Sequence, residues 1–266
     1  MTETNKNTGK VILAAAGCGD PELITVKAAR WLQQADIVLT DRLVSEKILQ
    51  EYVRPGVEII YAGKQNNKAA SVPQEDINQL LVKYALQGKL VVRLKGGDIA
   101  FFSNVLDELQ TLTDNNIPFE IIPGVTAASG ASAYAGIPLT AREHATSVRF
   151  LTCYKTDMLN NEYWAELAAT ADTLVFYMSS ETLDTVVENL TARKIDAAKL
   201  LAVVEQATTP QQTVAVCNLY EYANTLKGKA FASPTLVIIG KVVALHNKFA
   251  WQKNAINNEL YFKPVS

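Results

Sequence analysis

Residues 90–98 read LVVRLKGGD. The stretch opens with an apolar, β-branched run and closes with two glycines and a carboxylate, the pattern of a buried strand that stops abruptly. In open α/β sheets ligands collect beyond the carboxyl ends of the strands. Gly96 and Gly97 permit backbone dihedrals and close approaches that a Cβ forbids, and Asp98 offers a carboxylate to whatever comes near. Alone, the pattern fits a tight turn after a strand equally well. A second glycine-rich turn at Gly17 and a Pro123-Gly124 helix start shift the reading towards a site.

Outward from this stretch the chain alternates. Apolar runs at 11–16, 36–39, 57–61 and 119–122 read as further strands. Between them, Leu23, Val26, Ala29 and Leu32 follow helical spacing, as do Ile77, Leu80, Leu81, Tyr84 and Ala85, and then Val105, Leu106, Leu109 and Leu112. Ser45 can cap a short helix carrying Ile48 and Leu49. Residues 64–72 are polar and read as a loop, and Pro73 sits where a first helical turn tolerates it. Strands alternating with helices over short connections predict a mostly parallel sheet. After Pro123-Gly124 a helix rich in Ala, Ser and Gly runs to 135, and a second alternation begins. Its strands fall at 147–152, 173–177, 200–204, 213–216 and 234–239, the last ones pairing antiparallel. The expected organisation is an α/β domain over 10–123, a second α/β domain over 124–246, and a surface tail over 247–266 from which Trp251 and Tyr261 can pack back.

Composition narrows the function. The 266 residues are 48% hydrophobic and 20% charged, with a net charge of −2, which argues against a general nucleic-acid binder. Three well-separated cysteines, Cys18, Cys153 and Cys217, suit a reducing cytoplasm rather than a disulfide framework. His144 and His246 are the only histidines, so a multi-histidine metal site is excluded. No signal peptide and no membrane span are legible.

Gly17-Cys18-Gly19 after a strand is a weak match to a dinucleotide fingerprint. Glu22 stands at the third glycine position, and Asp20 puts a negative charge where a pyrophosphate would lie. A phosphate-free ligand with cationic groups fits better, and S-adenosylmethionine is one. Asp41-Arg42 and Lys64 follow strands two and three, so a parallel sheet brings them to the same rim as Gly17 and Gly96. Singly, each reads as a solvated loop charge. Arg93, Lys95, Arg142, Arg149 and Lys155 are further cations near the presumed site loops, able to hold a polyanionic substrate or merely scattered on the surface. Met178, after the Phe176-Tyr177 strand, reads on its own as plain core.

Taken together, GCGDPELIT at 17–25, DIVLTDRLVS at 36–45, VVRLKGGD at 91–98, IPFEIIPGVTAASGASAYAGIPLT at 117–140 and LVFYM at 174–178 closely resemble the uroporphyrinogen-III C-methyltransferases, the methylase module of sirohaem and cobalamin synthesis. The resemblance covers residues 10–246. It implies two α/β domains with S-adenosylmethionine in the cleft between them, a homodimer, and no metal. The implied cofactor contacts are Cys18, Gly96, Gly97, Asp98, Phe101, Thr126, Ala127, Met178 and Ala207. Asp41 and Lys64 are the implied acid–base pair. Arg42, Arg142 and Arg149 become candidates to pair with the substrate's rim carboxylates. The implied reaction converts uroporphyrinogen III to precorrin-2 through precorrin-1, leaving S-adenosylhomocysteine.

Several positions depart from the family pattern. Cys18 replaces a proline, and residues 99–105 (IAFFSNV) lack the usual glycines and arginine. Ala141 replaces a histidine, Cys153-Tyr154 a Gly-His pair, and Ala207 a common glycine. These changes cluster in the expected site, leaving open a methylase of another tetrapyrrole or a weakly catalytic cofactor- or tetrapyrrole-binding protein.

Overall fold

The computed structural model describes residues 8–62, 74–257 and 259–262. Those up to Ala127, with Phe262, form one compact unit, and Ala128–Tyr261 form a second.

The first unit is built on five parallel strands: β1 (Lys10–Ala15), β2 (Ile37–Thr40), β3 (Glu58–Tyr61), β4 (Leu90–Lys95) and β5 (Phe119–Ile122), in the order β3-β2-β4-β1-β5. The LVVRLK stretch is the central strand, paired with both β2 and β1. Helices α1 (Val26–Gln34) and α2 (Glu46–Tyr52) belong to one face, whose core includes Ile12, Ala14, Leu32, Val38, Ile48 and Val92. On the other face, Leu13, Leu39 and Val91 pack with Leu81 of α3 (Gln74–Leu86) and Leu112 of α4 (Val105–Asp114). Both faces are covered, which is why these strands read as continuous apolar runs.

Two helix faces differ from their predicted spacing. In α1, Ala28 and Leu32 are buried while Val26 is exposed. In α4, Leu106 points outward and Glu108 is fully buried. Pattern matching by hydrophobicity misses the α4 face because its buried carboxylate is held by cations from β4.

The second unit has α5 (Ala127–Ala135) leading into β6 (Val148–Thr152), α6 (Asn161–Ala169), β7 (Thr173–Tyr177) and α7 (Leu183–Ala192). Then come β8 (Leu200–Glu205), β9 (Thr213–Asn218), the short α8 (Tyr222–Thr225), β10 (Thr235–Gly240) and the short α9 (His246–Phe249). The sheet order is β6-β7-β10-β8-β9, parallel only between β6 and β7. Trp164 and Leu167 of α6 and Val186, Val187 and Leu190 of α7 fill one core with Leu174, Phe176, Leu201 and Val237.

Within the expected 247–266 tail, Trp251 and Asn254 are tied to the second unit. The Trp251 indole donates to the Ala133 carbonyl at 2.9 Å, and Asn254 exchanges two hydrogen bonds with the Val214 backbone, at 2.8 and 3.1 Å.

Candidate active site

In the first sheet the chain leaves β1 towards β2 on one side, and leaves β4 towards β5 on the other. The crevice between β1 and β4 is therefore a topological switch point, where α/β sheets hold ligands. The two glycine turns meet there. Gly17 and Gly97 exchange backbone hydrogen bonds, 3.1 Å from Gly17 N to Gly97 O and 2.7 Å in return. Both are left-handed, with φ of +78° and +74°.

The two glycines of 96–97 have different jobs. A Cβ on Gly96 would sit 2.6 Å from the Leu43 Cβ, so Gly96 lets the turn after β2 approach. That turn carries Asp41, whose Oδ1 accepts from Leu43 N at 3.0 Å, and the half-buried Arg42. Burial holds the Arg42 guanidinium below its usual pKa, while neighbouring Asp41 pushes it back up. A Cβ on Gly97 would meet nothing within 4 Å, leaving an open backbone face.

Asp98 takes a different role from the one its sequence suggests. Its side chain is buried, and both oxygens are used internally: Oδ1 accepts from Ala100 N and Oδ2 from Gly124 N, each at 2.7 Å. The carboxylate braces its own turn and the segment leading to Thr126 and Ala127.

Arg93 and Lys95 are likewise not surface cations. The Arg93 Nε and Lys95 Nζ each lie 3.1 Å from Oε1 of Glu108, and all three side chains are buried. Burial pushes the Lys95 pKa down, with Glu108 opposing that shift. The two ion pairs tie the end of β4 to α4, closing the segment that carries Gly96, Gly97 and the half-exposed Phe101. Glu108 could have been found in the sequence as a carboxylate on the α4 stripe formed by Val105, Leu109 and Leu112, opposite two cations alternating in a buried strand.

In the second unit Met178 follows β7 with φ of +53° and is half exposed. That removes the plain-core reading. Left-handed non-glycine residues are strained and gather at functional sites. The preceding Tyr177, which the sequence did not single out, accepts through its hydroxyl oxygen from Ala128 N, in the first turn of α5, at 3.1 Å. Ala207 is buried between two left-handed residues, Gln206 and Thr208.

The structure removes Arg149 from the site. It occupies the second position of β6, donates to Asp172 at 2.5 Å and also pairs with Glu166. Asp172 immediately precedes β7, so the cluster lies at the amino ends of β6 and β7. Four residues of strand, about 13 Å, separate Arg149 from Cys153 at the carboxyl end. Arg142 is exposed in a turn closed by the Ala141–Ala145 bridge. Lys155 is exposed, its amine 5.6 Å from the Tyr154 ring centroid. Cys18 is buried beside the Gly17 turn. Lys64 lies outside the described residues, as do the expected 64–72 loop and Pro73.

Among the described residues no group of three or more His, Cys, Asp or Glu side chains gathers to hold a metal ion, and no helix is long and apolar enough to cross a membrane.

Known proteins resemble this chain in sequence and in fold. The siroheme synthase of Azotobacter vinelandii is 47% identical over 246 residues, 92% of this chain and 53% of that protein. The chain thus spans about half the length of the curated relatives it matches. The crystal structure of uroporphyrin-III-C-methyltransferase from Thermus thermophilus matches with a TM-score of 0.75 and 33% identity, covering 92% of this chain and 98% of that one. A structure of the Thermus thermophilus enzyme complexed with S-adenyl homocysteine matches with a TM-score of 0.72 and 33% identity, over 88% and 93% of the two chains. The sequence model described as Tetrapyrrole (Corrin/Porphyrin) Methylases fits residues 10–223, a span holding both glycine turns, the Asp41 turn, Met178 and Ala207, and this chain belongs to that family.

Proposed function

We propose that the chain is an S-adenosylmethionine-dependent C-methyltransferase that converts uroporphyrinogen III to precorrin-2 by way of precorrin-1. The observation that carries the reading is the Gly17–Gly97 bridge at the switch point of the first sheet. It stands in a chain one-third identical, over nearly its whole length, to a methyltransferase of that substrate class.

The residues fit the cofactor. Gly97 leaves a backbone face open where a side chain would intrude. Cys18, Gly96, Phe101, Thr126 and Ala127 in the first unit, with Met178 and Ala207 in the second, would hold it. Asp98 contributes by fixing the turns around it. When bound, the cofactor supplies a methyl group made electrophilic by its sulfonium.

This chain's part is orientation, which by itself accounts for much of the rate of a bimolecular step. The substrate carbon that gains the methyl leaves its ring positively charged, and a proton then departs from a bridging carbon. Asp41, at the rim beyond β2, would accept that proton. Lys64 would be its partner in managing protons or would anchor an acetate arm. Arg42 and Arg142 would pair with the substrate's carboxylates. The same reading makes the protein a cytoplasmic homodimer that needs no metal and takes neither nucleic acid nor membrane as partner.

The test is an incubation with S-adenosylmethionine and enzymatically made uroporphyrinogen III, read by mass and absorbance. Two added methyl groups are expected. A chain that binds S-adenosylhomocysteine but leaves this substrate unmethylated would direct the reading to another tetrapyrrole, which the altered 99–105 segment favours. A chain that binds neither ligand would overturn it.

A further inference from the structure

The loop between β8 and β9 is bound up in a way its sequence does not announce. Gln206 and Thr208 both hold left-handed backbones, at φ of +46° and +66°, on either side of Ala207. Two such residues in three are kept only where their surroundings dictate it. Within the loop, the Thr209 hydroxyl donates to the Gln206 carbonyl at 2.7 Å, and Thr208 N donates to the Gln212 side chain at 2.8 Å.

Gln206 N also donates to the Pro234 carbonyl at 2.8 Å, and further restraint comes from residues 250–257 and 259–261. The buried Gln206 side chain behaves like a piece of strand backbone. Its Oε1 accepts from Tyr261 N at 2.7 Å, and its Nε2 donates to the Glu259 carbonyl at 3.2 Å and the Gln211 carbonyl at 3.4 Å. Ala255 N donates to the Gln212 carbonyl at 2.9 Å. The Gln252 side chain donates to the Thr209 carbonyl at 2.8 Å.

The near end of this segment is anchored on α5. A Cβ on Gly136 would fall 2.2 Å from the Phe249 carbonyl oxygen, so only glycine lets the two backbones pass. The His246 ring nitrogen Nδ1 lies 2.6 Å from the Ala135 carbonyl, and the Trp251 ring packs 5.0 Å from that of Tyr134.

We propose that residues 250–257 and 259–261 are a strap that holds the Ala207 loop in its cofactor-receiving conformation, with Gln206 as a positioning residue that joins strap to loop. The proposal rests on the reading of Ala207 as a cofactor contact. Buried amides leave their partners unsatisfied when truncated, so removing the Gln206 side-chain amide loosens the strap's hold on the loop, with the Gln252 and Ala255 bonds left in place. A loop that must then be reordered on binding costs affinity.

The variant is Gln206→Leu, with Gln252→Ala as a milder break in the same strap. Hydrogen exchange of 206–212 reads the strap without any ligand, and calorimetry with S-adenosylhomocysteine reads its consequence. Expected for Gln206→Leu are faster exchange in 206–212, about tenfold weaker S-adenosylhomocysteine binding, and a raised KM for S-adenosylmethionine with the tetrapyrrole KM unchanged. Gln252→Ala should move the same readouts less, and it serves if Gln206→Leu does not fold. Unchanged exchange in 206–212 overturns the strap. Faster exchange with unaltered affinity overturns the positioning role. A wild-type chain that binds no S-adenosylhomocysteine fails the proposed function instead, while the exchange measurement still decides the strap.

Discussion

Replacing Glu108 by glutamine should unfold the first unit far more readily than replacing Lys95 by methionine. Glu108 is fully buried, and its Oε1 faces the Arg93 and Lys95 nitrogens at 3.1 Å each. Unit charges about 4 Å apart attract by about 4 kcal/mol at an effective dielectric of ~20. Removing one member of a buried pair costs about 3–5 kcal/mol, because the remaining charge is left without compensation. Glu108→Gln leaves two buried cations facing each other, so urea unfolding near neutral pH should show a loss in that range. Lys95→Met instead leaves Arg93 and Glu108 as a one-to-one pair and deletes an amine whose charge burial already disfavours. Its loss should be the smaller of the two, because the pair left behind is charge-balanced. Glu108→Gln should also weaken S-adenosylhomocysteine binding, because the cluster closes the segment carrying Gly96 and Gly97. Equal losses for the two variants, or a larger one for Lys95→Met, would refute the reasoning from charge imbalance.

Gly97→Ala should cost about 1–2 kcal/mol from its left-handed backbone, with no clash, because a Cβ there meets nothing within 4 Å; calorimetry should show weakened S-adenosylhomocysteine binding, and unchanged affinity would remove this face from the site. Asp41→Asn should lower turnover with little effect on S-adenosylhomocysteine affinity, and parallel losses in single-turnover and binding measurements would point to a structural part for the Asp41 turn. The Ser147 hydroxyl, and after it Arg149, hold the Asp172 carboxyl at a pKa of about 2, below its ordinary 3.8. Its stabilising contribution is therefore present above about pH 4 and lost as pH falls through about 2; Asp172→Asn should flatten that part of the acid-unfolding curve, and an unchanged curve would count against the pairing.

The parallel sheet was legible because both its faces are buried. Val11, Leu13, Val38, Leu39, Val91 and Val92 read as strands on apolarity alone, and glycine turns punctuated them where left-handed geometry was required. The antiparallel half of the second sheet was legible from the short apolar runs at 200–204, 213–216 and 234–239. Helix faces were less so. The spacing rule placed Val26 and Leu106 inwards, and both are exposed. Amphipathic counting weighs only hydrophobicity, whereas the α4 face was settled by a buried carboxylate whose partners lie thirteen and fifteen residues earlier in sequence.

The same limit explains where the site was and was not readable. Glycines declare themselves, since a turn that needs φ near +75° or contact with a neighbouring backbone admits little else. Charges do not, because sequence gives neither the end of a strand that a side chain occupies nor the partner it meets. Arg149 was assigned by its nearness to a site loop, yet it sits at the amino end of β6, bound to Asp172 and Glu166. Asp98 reads in the sequence as a carboxylate offered to a ligand, and the sequence does not show that its two oxygens also accept from Ala100 N and Gly124 N. In each case a charged group near the expected site is spent on fixing backbone or strand ends. What is left open at the glycine turns of the first unit is backbone, at Gly97. A ligand held there largely by backbone would ask little of side-chain charge, and a substitution such as Cys18, buried beside the Gly17 turn, would disturb it less than a change at Gly97.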